Sequence, residues 1–136
     1  MLSSIPLMVV PFVLYNVGLL GIFGGGMDGD PWATPLFSVG MMSGGVFTMT
    51  LGSLLELGAL LLLFVEIIKS TRSSKASIID HLLSTFVFVA FLVEFLLVKG
   101  AAHPVFFNLM VIALIDVLAG FSVSLRAAER DVSLHP

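Results

Sequence analysis

The sequence predicts an all-α integral membrane protein: a four-helix transmembrane bundle in a single membrane domain over residues 1–136, oriented N-in/C-in. Three observations predict it. Apolar residues make up 58% of the 136 and charged residues only 11%, with a mean hydropathy of +1.14. A water-soluble domain carries about 25% charged residues, so lipid is the natural solvent for this composition. Four apolar runs approach or exceed the ~20 residues that a helix needs to cross the ~30 Å hydrocarbon core. The basic residues are also distributed unevenly about those runs. Within hydrocarbon only a helix or a closed barrel satisfies its own backbone, and the runs lack the alternating period of a barrel strand.

The expected spans are residues 5–23, 46–68, 78–98 and 104–125. The first holds no charge. It has the length of a signal peptide, but a positive n-region and an A-x-A site are missing, so it is expected to be retained. Pro6 suits a helix start, whereas Pro11 should kink the helix or delay its beginning. An external Gly/Asp loop over 24–45 follows, opening with Gly24, Gly25 and Gly26 and continuing through Asp28, Asp30, Pro31 and Trp32. Trp32 suits an interfacial aromatic belt. The stretch 35–46 turns apolar again and is open to two readings, an interfacial dip or an extension of the second helix. The 69–77 connection is polar and Ser-rich, and the short 99–103 connection forces the third and fourth helices into a hairpin. Gly21 with Gly25, and Gly40 with Gly44, have the small-x-x-x-small spacing that permits close helix contact.

All six basic residues fall outside these spans. Lys69, Arg72, Lys75, Arg126 and Arg130 share one side, and Lys99 alone lies on the other. The positive-inside rule puts the five, and the 126–136 tail, in the cytoplasm.

Five of the nine acidic residues fall inside the spans: Glu56, Glu66, Asp80, Glu94 and Asp116. A carboxylate at a bilayer centre costs roughly 2.5–3.5 kcal/mol on insertion scales and is a functional candidate by default. At ~1.5 Å rise per residue, Glu56 and Asp116 are expected within about 2 Å of mid-helix, Glu94 roughly 9 Å toward the outside and Glu66 roughly 13 Å toward the cytoplasm. Asp80 and His81 fall at the cytoplasmic boundary, where Asp80 could cap a helix start. Helical spacing groups Asp80, Ser84 and Glu94 on one face, Ser53 with Glu56, and Asn108 about 80° from Asp116. Glu56, Asp116, Glu94, Glu66, Asp80, His81, Asn108, Ser53 and Ser84 are therefore the candidate proton, cation or interhelical polar sites. One reading makes the carboxyls protonatable stations. A second has them bond to Ser53, Asn108 or backbone carbonyls and hold helices in register. A third has a partner subunit supply the missing base.

Several chemistries find no support. The net charge of −3 argues against a nucleic-acid partner. Cysteine is absent. His81, His103 and His135 offer no pair at matching depth for a haem. The pair Asp28 and Asp30 lacks the ligand ladder of a calcium loop. No catalytic residue, metal set or cofactor is expected, and the chain is read as non-enzymatic.

The segments FVEIIKSTR, DHLLST, FLVEFLLV and ALIDVLAGFSVS lie between Met49 and Val132. This stretch resembles small four-span inner-membrane proteins of proteobacteria. The resemblance implies a multi-pass protein of the bacterial inner (cytoplasmic) membrane, and implies no activity. Small four-helix multidrug transporters are similar in length, but they rely on a carboxylate in the first span, which residues 5–23 lack. The expected function is a small accessory or structural subunit, or an assembly factor, of a larger membrane complex. Its partners would be the lipid bilayer and other membrane subunits or further copies of itself. The alternative is a small oligomeric transporter or proton/cation conduit that uses the intramembrane carboxylates.

Overall fold

A computed structural model describes residues 5–22, 24, 29–71 and 75–134, with the side chains of 75–77, 124 and 126–134 excepted. Phe23, Gly25, Gly26, Asp28, Arg72 and His135 lie outside the described residues, as do the side chains of Lys75, Arg126 and Arg130. The order is α1 (Val9–Leu19), a 3-10 turn (Pro31–Ala33), β1 (Pro35–Gly40), β2 (Val46–Thr50), α2 (Leu51–Lys69), α3 (Lys75–Leu97), a second 3-10 turn (Lys99–Ala101) and α4 (Pro104–Leu134).

The chain is thus mostly helical but not all-α. Among the described residues, three helices are long and apolar enough to cross a membrane: α2, and α3 and α4 over Ile78–Leu97 and Pro104–Val123. The first expected span contains only the 11 residues of α1. At ~1.5 Å per residue that is roughly 16 Å, about half a hydrocarbon core. Proline explains the late start. Pro11 is tolerated in the first helical turn, where its missing N–H has no intrahelical partner, so the helix begins at Val9 rather than near Ile5.

The second expected span also begins late, and the stretch 35–46 is not an extension of the second helix. Pro35–Gly40 and Val46–Thr50 form an antiparallel hairpin, with Phe37 opposite Met49 and Val39 opposite Phe47. Ser38 and Thr48 hydroxyls meet across it at 2.9 Å. Gly44 turns the corner at φ 90°, a conformation that glycine adopts without steric cost, so Gly40 and Gly44 serve a turn and not a helix contact. Helix α2 starts only where Thr50 caps it, its Oγ1 accepting from Ser53 N at 3.2 Å.

At the other helix starts, α3 begins at Lys75, so Asp80 is an interior residue and not a cap. Helix α4 starts on His103, whose Nδ1 accepts from Val105 N at 3.0 Å, with Pro104 at the first helical position. It runs on to Leu134, so the expected tail is largely helical.

Buried side chains form one cluster. It includes Tyr15 of α1, Trp32, Ala59 and Leu63 of α2, Phe91 of α3, and Phe106, Leu109, Ile112 and Ala113 of α4. Trp32 is only 3% exposed, so it is a core residue and not a belt residue. It stacks on Tyr15 with ring centres 4.8 Å apart. It also lies against Gly52, where a Cβ would meet Trp32 O at 3.0 Å and Val105 Cγ2 at 2.8 Å. The helices otherwise turn large apolar side chains outward, among them Leu61, Phe64, Phe86, Leu96 and Leu118, which suits a lipid solvent.

Candidate functional site: a lysine-centred polar cluster

The polar residues gather at two ends of the bundle. One, here the lysine end, is built from the last turn of α2, the first half of α3 and the middle of α4. Glu66 and Lys69 stand one turn apart on α2, and Lys69 Nζ reaches Glu66 Oε1 at 3.0 Å. The same ammonium reaches Asp80 Oδ1 on α3 at 3.2 Å. Its third donor goes to the carbonyl of Ile5 at 2.7 Å. A lysine ammonium has three N–H groups, so these three acceptors use all of them. Glu66 Oε1 also accepts from Leu7 N at 2.8 Å, which ties the chain before α1 to the end of α2.

Lys69 corrects a sequence expectation. The sequence places it in a polar connection and leaves the membrane acids without a base. The structure makes Lys69 the last residue of α2, with its side chain 11% exposed and bound to two of those acids. The Glu66–Lys69 spacing of three was a legible signal for it.

Asp116 and Ser84 complete the cluster without joining that network. Asp116 is 4% exposed and Ser84 3%. Among the described residues, Asp116 Oδ2 and Ser84 Oγ have no hydrogen-bond partner. They line a small polar cavity of about 10 Å³ together with Glu66, Asp80, His81 and Gly120. The ring of His81 crosses onto α4, where a Cβ on Gly120 would come within 2.9 Å of its Nδ1.

The opposite, hairpin end joins the non-helical segments to the helices. Asp30 Oδ1 accepts from Trp32 N at 3.1 Å, capping the first 3-10 turn. Its Oδ2 meets His103 Nε2 at 2.9 Å. Because His103 Nδ1 accepts from Val105 N, the proton of a neutral ring sits on Nε2 and points at Asp30. Tyr15 donates its hydroxyl to Gly100 O at 2.8 Å. Sequence reasoning missed this clasp, because Asp30 and His103 are 73 residues apart.

The other candidates are dispersed. Asn108 donates to Glu56 Oε1 at 2.8 Å, an α4-to-α2 bond. Glu56 is only the sixth residue of α2. That places it roughly 6 Å from the helix middle toward the hairpin end, farther than the longer expected span implied. Ser53 bonds Thr50 and not Glu56. Glu94 belongs to the hairpin half of α3 with a buried Oε2 unpaired among the described residues. The nine sequence candidates therefore divide into one assembled set (Glu66, Asp80, His81, Ser84, Asp116), one pair (Glu56, Asn108) and two separate residues.

Aromatic residues join α1, α3 and α4 in the core. Phe12 and Phe91 meet edge to face at 4.9 Å, and Phe91 and Phe106 approach to 5.2 Å, both of the latter fully buried. Along α4, Leu109, Ile112 and Ala113 fill the interval before Asp116, and along α2 Ala59 and Leu63 fill the interval before Glu66.

No group of three or more His, Cys, Asp or Glu among the described residues has a metal-holding arrangement. Compared with known proteins, the chain matches no family model, no curated protein and no solved structure.

Proposed function

We propose that this chain is a non-enzymatic, multi-pass protein of the bacterial inner membrane, acting as a small accessory subunit or assembly factor of a larger membrane complex. The observation that carries this reading is the Glu56–Asn108 hydrogen bond. Asn108 is exposed on the bundle surface, beside outward-facing Leu57, Leu60 and Phe107. Both residues sit about 6–8 Å inside the hairpin-end termini of their helices. A polar pair turned toward hydrocarbon leaves hydrogen-bonding capacity unmet, and a neighbouring membrane helix with polar groups would meet it. The hairpin, with Phe37, Val39, Val46 and Phe47 exposed, offers a second apolar contact surface on the same end.

Four passes are part of the proposal. Residues 5–19 run beside α2, from Leu7 at Glu66 to Leu19, whose side chain lies against Gly100. With four passes, the five-to-one charge bias puts the lysine end in the cytoplasm and the hairpin outside.

Extraction in mild detergent or native nanodiscs tests the reading. A stoichiometric assembly containing other membrane subunits is expected, with a photo-cross-linker at Asn108 attaching to one of them. Recovery solely as a monomer or homo-oligomer would overturn it.

A second reading, an oligomeric proton or cation conduit using Glu56, Asp116 and Glu94, draws support from the unpaired Asp116 and Ser84 atoms. The packed core of Leu63, Phe91, Leu109, Ile112 and Ala113, which lies along the helices between Asp116 and the acids Glu56 and Glu94, counts against it.

A further inference from the structure

We propose that the lysine end is a proton-binding site, in which Asp116 and Ser84 hold a single buried water and Asp116 carries an exchangeable proton. Three independent features carry it. The cavity of about 10 Å³ beside these residues is at the size that admits one water, roughly 10–15 Å³ of accessible space. Asp116 Oδ2 and Ser84 Oγ, each on a residue more than nine-tenths buried, border that space; the two side chains lie close to each other, and neither atom has a well-formed hydrogen bond among the described residues. Buried polar atoms of this kind are normally satisfied, by ordered water where protein does not reach. A water donating to Asp116 and bonded to the Ser84 hydroxyl satisfies both.

Charge balance supplies the third feature. From α2 the site receives Glu66, Lys69 and Ser70, from α3 Asp80, His81 and Ser84, and from α4 Asp116. Three carboxyls thus face one ammonium, whose donors are all engaged by Glu66, Asp80 and Ile5 O. A dry interior does not hold uncompensated negative charge. With the metal-holding geometry lacking among the described residues, a proton is the compensating cation that fits. Asp80 and His81, six and seven residues into α3, lead from the cavity toward the lysine end of the bundle. Buried Leu63, Leu109, Ile112 and Ala113 close the other side, so the proton exchanges with one face only. The site does not depend on the subunit reading, which stands or falls on assembly.

Infrared spectroscopy of the protein in lipid bilayers tests this. The wild type is expected to show a carboxylic-acid C=O band that shifts in D2O, disappears as pH is raised and is missing in Asp116→Asn. Ser84→Ala should keep the band but move its frequency, and Glu56→Gln should leave it unchanged. Absence of an Asp116-dependent acid band, or a band that does not exchange in D2O, would overturn the proposal. Should Asp116→Asn fail to fold, an unmoved band in Ser84→Ala would overturn it equally.

Discussion

The two ends of the bundle use similar residue types to different effect. At the hairpin end, Asp30, His103, Tyr15 and Trp32 form a clasp in which both Asp30 oxygens and both His103 nitrogens are engaged. Within this clasp the result is mechanical: a 3-10 turn, the start of α4 and the side of α1 are held together, although Thr34 Oγ1 and Glu94 Oε2 in the same half have no partner among the described residues. At the lysine end the acids outnumber the base. Lys69 is saturated by Glu66, Asp80 and Ile5 O, and Asp116 is left over. Matched polar groups build structure, and the unmatched remainder is where chemistry can occur.

The largest effect is expected from Lys69→Met. It strands two buried carboxyls, and breaking a buried pair by removing one partner costs roughly 3–5 kcal/mol. Unfolding in detergent would measure it, and a loss within experimental error would show that the lysine end is not held by this residue. A smaller effect is expected from Gly52→Ala at the hairpin end. The new methyl would press on Trp32 O and Val105, and overpacking of this kind costs about 1–3 kcal/mol; an unchanged transition would mean the clasp yields easily. The smallest is the Asp30–His103 coupling. The pair is 36% and 25% exposed, so a double-mutant cycle through Asp30→Asn and His103→Ala should give about 0.2–1 kcal/mol. A coupling as large as the Lys69 effect would erase the contrast between the ends.

Parts of this arrangement were legible in sequence for physical reasons. Helices α2, α3 and α4 follow from apolar runs that have no other way to satisfy their backbones in lipid. The Asn108–Glu56 bond is among the expected alternatives, but Asn108 is exposed on the bundle surface and not on the inward stripe that spacing suggests. The hairpin was not expected. Its strands, PLFSVG and VFTMT, expose residues on both faces, so they lack the alternation that marks a half-buried strand. Strand-forming Val, Phe and Thr around a Ser-Gly-Gly turn were the available signal. Lys69 was hidden by its own charge. Counting it toward the orientation bias placed it in solvent, whereas a long lysine stem can lie along a bundle while its head pairs inside. Glu56 lies nearer its helix start than the sequence predicts because residues 46–50 form a strand and shorten α2 from its start.

The separation of the two ends by the packed core of Leu63, Phe91, Leu109, Ile112 and Ala113 is the claim on which the rest turns, and proton flux across reconstituted liposomes measures it most directly. Under an imposed pH gradient, vesicles carrying the wild-type protein should leak protons no faster than empty ones. Flux well above that background, removed by Asp116→Asn, would mean that protons pass this apolar core and that the two ends are one pathway.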